Sequence, residues 1–140
     1  MIVGIGVDIA KISRFQSLAS ASQERLLRVF SQQELADCMM PDHAYDLAKL
    51  AARFAAKEAF FKALSASLIR LKLTQQTSSL LAICKLVEVI SPLWGVPTLH
   101  VDWLAIETIV EAKLANLNVN ISLSHEKDQA VAFVVIELPQ

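Results

Sequence analysis

Charge imbalance is missing from this 140-residue sequence: 13 Lys and Arg stand against 14 Asp and Glu, a net charge of −1. No global field therefore draws in nucleic acid or an anionic membrane. Cysteine is scarce. Cys38 and Cys84 lie far apart in no metal-binding spacing, which reads as an intracellular protein with two free thiols. Glycine is scarcer than the fold classes that cradle dinucleotides require. Gly4 and Gly6 are followed by no third glycine opening a helix, so that fingerprint is not completed. No stretch approaches the roughly 18 apolar residues of a membrane span, because Lys85 and Glu88 interrupt the best candidate. No basic-then-apolar leader opens the chain, and no repeat, low-complexity tract or linker divides it. These absences predict a single cytoplasmic domain over residues 1–140 with no nucleic-acid and no membrane partner.

What the chain has is apolar mass. Its hydrophobic fraction of 54% exceeds the usual range of about 45–50%, enough for a core and for an apolar subunit interface. Residues 2–9 alternate: Ile5, Val7 and Ile9 share one face of a predicted strand, and Gly4, Gly6 and Asp8 share the other. Two glycines on the acid's face leave room for a backbone or a ligand to approach closely. Residues 11–19 and 22–30 read as short helices. Ser31 and Glu34 have capping-box spacing and start another helix, which Pro41 stops. The strongest helix covers residues 45–64, rich in alanine, leucine and lysine. Residues 65–79 fit an extension of that helix or a loop. Residues 81–90 read as a strand, Ser91-Pro92 and Gly95-Val96-Pro97 as a turn, 98–101 as a strand and 103–114 as a helix. The end of the chain is a hairpin. Val119, Ile121 and Leu123 alternate with polar residues, 125–128 form the turn, and 130–138 are apolar on both faces apart from Glu137, as in a strand covered on both sides. The order of elements predicts an α+β fold: a mostly antiparallel sheet, a long central helix and short flanking helices.

Two carboxylates stand where carboxylates are costly, Asp8 in an apolar strand and Glu58 in an apolar helix. On a 3.6-residue wheel, Leu47, Leu50, Phe54 and Phe61 form an apolar stripe with Glu58 inside it, flanked by Lys57 and Lys62. Taken singly, Glu58 pairs with Lys62 on the surface, and Asp8 caps the helix that begins near Lys11. Taken together, the acids can meet around one hard divalent ion. Mg²⁺ takes one or two carboxylates and completes its octahedron with water and phosphate oxygens. Arg53, Lys57 and Lys62 then supply donors for those phosphates. His125, His43 and His100 read as structural or surface histidines.

Four segments together resemble the holo-acyl-carrier-protein synthases, the small bacterial 4′-phosphopantetheinyl transferases. They are Ile2-Val3-Gly4-Ile5-Gly6-Val7-Asp8-Ile9 with Ile12-Ser13-Arg14; Phe30-Ser31 with Glu34-Leu35; Arg53-Phe54-Ala55-Ala56-Lys57-Glu58-Ala59-Phe60 with Lys62-Ala63-Leu64; and Ser122-Leu123-Ser124-His125-Glu126 with Ala130-Val131-Ala132. They occur in the family's order and cover about half the chain. The resemblance implies that the phosphopantetheine arm of coenzyme A moves onto a serine of apo-acyl carrier protein, releasing adenosine 3′,5′-bisphosphate. It implies that Asp8 and Glu58 hold Mg²⁺ on the diphosphate. Glu58, or a water on the metal, would take the serine proton, and Lys62 would steady the phosphates. Arg53 and His125 would reach phosphate groups of coenzyme A, His125 from a neighbouring subunit. Gly95 and Pro97 would border the adenine, where the family has Gly-Lys-Pro. Arg14, extended by Arg25 and Arg28, would meet the acidic carrier protein. A homotrimer with sites at subunit interfaces is implied as well. The chain departs from the family's pattern at Ser65-Ala66-Ser67, where a glycine-rich turn is usual, and in a longer, more apolar segment up to Leu86. Those departures motivate one alternative, a module that binds carrier protein or nucleotide without turnover; another Mg²⁺-dependent phosphotransferase on the same scaffold is a third reading.

Overall fold

Alternation decides the first element. Strand β1 (Ile2–Lys11) buries Gly4, Gly6, Asp8 and Ala10 on one face and leaves Ile5, Val7 and Ile9 on the other. The computed structural model describes residues 1–73, 79–92, 95–114 and 117–139. Strand β1 pairs antiparallel with β5 (Gln129–Glu137), which pairs antiparallel on its far side with β4 (Asn118–Glu126). β5 is thus the middle strand, and this accounts for its two apolar faces. Ala130, Ala132, Val134 and Ile136 are buried toward the core. Outward, Phe133 joins Ile5, Val7 and Ile9 in an apolar row that is 44–61% exposed. The hairpin turn is shorter than expected, with His125 and Glu126 still in β4.

The inner face of the sheet is covered by α4 (Leu47–Arg70), a helix of 24 residues. Asp46 caps its start by accepting from the Lys49 N–H at 3.1 Å. It continues through Ser65-Ala66-Ser67, so the ambiguous stretch begins as a helix extension, and residues 74–78 of it lie outside the described region. Its end is a Schellman turn: Leu73 N donates to Leu68 O at 3.0 Å and Lys72 N to Ile69 O at 3.1 Å, with Lys72 at φ 56°. The surface of α4 that meets β1 is not the Leu47–Leu50–Phe54–Phe61 stripe but a ridge of alanines. A Cβ at Gly6 would overlap the Ala59 carbonyl, and one at Gly4 the Ala63 carbonyl. Helix backbone lies directly on strand backbone there, the close approach that the two glycines permit.

Short elements pack around the other sides of α4. After a 3₁₀ turn at Ile12–Arg14 come α1 (Phe15–Ala19), α2 (Gln23–Leu26) and α3 (Gln32–Cys38). Phe15 meets Phe54 edge-on with ring centroids 5.5 Å apart, tying α1 to α4. The expected capping box starts α3, its Ser31 and Glu34 side chains each bonding the other's backbone N–H. Residues 81–90 are not one strand. Ser79 caps α5 (Leu80–Cys84), and only Val87–Ile90 form β2, paired with β3 (Thr98–Val101) in a separate antiparallel ribbon. A last helix, α6 (Trp103–Val110), is shorter than its apolar spacing predicts and starts on an Asp102 cap. Both cysteines are free and buried, and burial pushes both thiols up to about 11. Among the described residues no helix is long and apolar enough to cross a membrane.

Candidate active site

The glycine contact sets the site. Strand β1 and α4 run in opposite directions, Gly4 against Ala63 and Gly6 against Ala59. Two strand residues advance about 6.6 Å and four helix residues about 6 Å, so the two elements keep step. The next step along places Asp8 beside the turn of α4 that carries Glu58. Side chains on α4 lean toward its N-terminus, which brings Lys62 back to the same level.

Asp8 is 9% exposed. Its Oδ1 accepts from Lys62 Nζ at 2.9 Å, and that ammonium also donates to the Val7 carbonyl at 3.0 Å. Its Oδ2 is buried with no donor among the described residues. Glu58 lies close enough to Asp8 for the two carboxyls to influence each other. Burial first, then the shared hydrogen bond and the charge of Asp8, push the Glu58 carboxyl above its ordinary pKa, while Lys62 and Arg14 pull it back. That mutual influence brings residues 8 and 58 near one another, as their expected convergence requires. The simpler readings of each acid alone do not hold: Lys62 turns to Asp8 rather than to Glu58, and Asp8 caps no helix. Two carboxylates this close share either a proton or a cation. Hard oxygen donors, one of them buried and unpartnered, suit Mg²⁺. Among the described residues no cluster of three or more His, Cys, Asp or Glu forms.

Two predicted phosphate donors are engaged elsewhere. Lys57, 1% exposed, forms an ion pair with fully buried Glu34 at 2.7 Å and donates to the carbonyls of Cys84 at 2.8 Å and Val87 at 2.7 Å. Arg53, 5% exposed, faces Asp37 at 3.5 Å. The reason is helical phase. Arg53 and Lys57, four apart on α4, face Asp37 and Glu34, three apart on α3, and form two ionic rungs between the helices. Sequence reasoning missed Glu34 and Asp37 as the ion-pair partners of Lys57 and Arg53. The signal available was this matched spacing of acids and bases on two successive helices.

Most of the remaining expected residues lie apart from the acid pair within one chain. His125 is exposed near the end of edge strand β4, on the same face as Asp8 but across β5 from β1. Gly95 and Pro97 lie in the connection between β2 and β3. Arg14 is exposed and close enough to Glu58 for its charge to be felt there. Arg25 and Arg28 are exposed on and just after α2, Arg28 pairing with Glu24 at 3.3 Å.

An acid from a strand and an acid from a helix, gathered beneath a lysine on an α+β frame, define a class of site suited to anionic phosphate chemistry. The chain matches the 4′-phosphopantetheinyl transferase superfamily over residues 4–134 and belongs to that family. A holo-acyl-carrier-protein synthase from Geotalea daltonii is 39% identical over 138 residues, which cover 98% of this chain and 99% of the relative. The acyl carrier protein synthase structure from Mycobacterium tuberculosis superposes with a TM-score of 0.69 at 31% identity, covering 99% of this chain and all of that one. A Bacillus anthracis holo-acyl-carrier-protein synthase, solved in complex with coenzyme A (3′,5′-ADP), gives a TM-score of 0.66 at 27% identity and covers 99% of each chain.

Proposed function

We propose that this chain, as one domain, transfers the 4′-phosphopantetheine group of coenzyme A to a serine of apo-acyl carrier protein. The observation that carries this reading is the meeting of Asp8 and Glu58 beneath Lys62, in a chain whose family and full-length relatives perform that transfer. The serine oxygen attacks the β-phosphorus of coenzyme A, the serine gives up its proton, and adenosine 3′,5′-bisphosphate leaves. Glu58, or a water held beside it, would receive that proton. Asp8 Oδ2 and Glu58 are the oxygens that would hold Mg²⁺. The ion, when bound, supplies charge neutralisation at the diphosphate. Lys62, with its side chain 53% exposed, has its ammonium beside the acids and can donate to a phosphate oxygen. Arg14, Arg25 and Arg28 offer an exposed basic edge to an acidic carrier protein.

The exposed row of Ile5, Val7, Ile9 and Phe133 supports assembly of the chain as a homotrimer through the outer face of the sheet. His125 then serves coenzyme A bound to a neighbouring copy, and Gly95 and Pro97 border its adenine. The free buried thiols are in keeping with a cytoplasmic enzyme.

Incubation with coenzyme A, Mg²⁺ and apo-carrier protein adds one phosphopantetheine mass to the carrier, read by mass spectrometry. Asp8→Ala and Glu58→Ala each abolish the gain while leaving the circular dichroism spectrum unchanged. Transfer that persists in excess chelator would refute the metal assignment. Binding of carrier protein without any mass gain would make the chain a non-catalytic module.

A further inference from the structure

On the reading of Asp8 and Glu58 as the metal-holding pair, we infer that Lys57 is a positioning residue: its buried pair with Glu34 fixes the face of α4 that presents Glu58 to Asp8. An ammonium has three protons to give. Those of Lys57 go to Glu34 Oε1 at 2.7 Å, the Cys84 carbonyl at 2.8 Å and the Val87 carbonyl at 2.7 Å, which leaves none for a phosphate. Its ammonium also lies 6.0 Å from the centroid of the Phe30 ring. Glu34 is equally committed, accepting from Ser31 N at 3.0 Å on Oε1 and from Val89 N at 3.3 Å on Oε2.

One ion pair therefore ties together α3, α4, the end of α5 and β2. With Lys57 and Glu34 1% and 0% exposed, these charge-assisted bonds act in a dry interior, where they are strong and directional. Glu58 is the very next residue, about 100° around the helix and 1.5 Å along it. A rotation of α4 that frees Lys57 swings Glu58 away from Asp8 by the same angle. Cys84 joins the two sides, since its carbonyl accepts from Lys57 while its thiol lies close enough to feel the charge of Glu58.

The test uses the full-length protein, with Mn²⁺ as a probe read by electron paramagnetic resonance in the absence of substrate, alongside thermal unfolding and steady-state kinetics. The double variant Glu34→Leu/Lys57→Met replaces the pair by apolar groups of similar size, which leaves no charge buried alone but strips four backbone groups of their partners. The expected result is a folded protein whose Mn²⁺ affinity falls by about 10–100-fold, the range for groups that orient a metal ligand. Its kcat falls in parallel, with KM for coenzyme A unchanged. Glu34→Gln, which keeps shape and one acceptor oxygen, gives a smaller loss of the same kind and serves if the double variant does not fold. Wild-type Mn²⁺ affinity and kcat in a folded variant would make the pair merely structural and overturn the inference. A raised KM with kcat and Mn²⁺ affinity intact would return Lys57 to the phosphates. A wild-type protein that binds no Mn²⁺ even with coenzyme A added would remove the underlying reading itself.

Discussion

Glu58 binds a proton more readily in the folded chain than its ordinary value of 4.5 allows, because burial and Asp8 both disfavour its charge. Between that value and the raised one, the native state holds more protons than the unfolded state, so stability falls as pH rises through the interval. Glu58→Gln carries no titrating proton and removes this decline. Thermal unfolding of metal-free wild type and variant across that pH range measures the difference, and parallel profiles would refute the assignment. The acids and Lys62 are legible in the sequence because two periodicities act on them. Period two places Asp8 with the glycines, and period 3.6 places Glu58 and Lys62 on one flank of α4. Arg53 and Lys57 are not legible in the same way. A lysine that ties two helices and a lysine that greets a phosphate have the same side chain, and the partner that separates them, Glu34, lies in an earlier helix where capping already accounts for it.

At the scale of elements, α4 is long because nothing in Ser65-Ala66-Ser67 stops it, and it ends on a lysine in a left-handed conformation that glycine favours. Lys72→Gly is expected to stabilise the chain by roughly 1 kcal/mol, measured by denaturant unfolding. Gly6→Ala works in the opposite direction. The new methyl meets the Ala59 carbonyl, α4 is pushed off the sheet, and stability drops by about 1–3 kcal/mol or more. Transfer is lost with it, since Asp8 and Glu58 separate. The long helix, β1 and the hairpin follow from strong, sustained patterns. The stretch 81–90 does not, because a short apolar run suits a helical turn as well as a strand. Ser79, which caps α5, was the local signal that the run begins as helix.

For the whole molecule, the decisive surface is the outer face of the three-stranded sheet. A charge at its centre, Val7→Glu, should yield a folded monomer by sedimentation and abolish transfer if the copies share their sites. A trimer that survives this change would move the interface elsewhere. Strand β1 alternates between two duties. The Val7 side chain faces outward, while its carbonyl oxygen accepts from Lys62 at 3.0 Å, beside the bond by which the same ammonium holds Asp8. A neighbouring copy seated on that side chain is thus a single peptide unit from the reacting centre. In the proposed trimer, quaternary contact and turnover would be joined there, and a preparation that comes apart on dilution is expected to lose its catalytic output over the same concentration range.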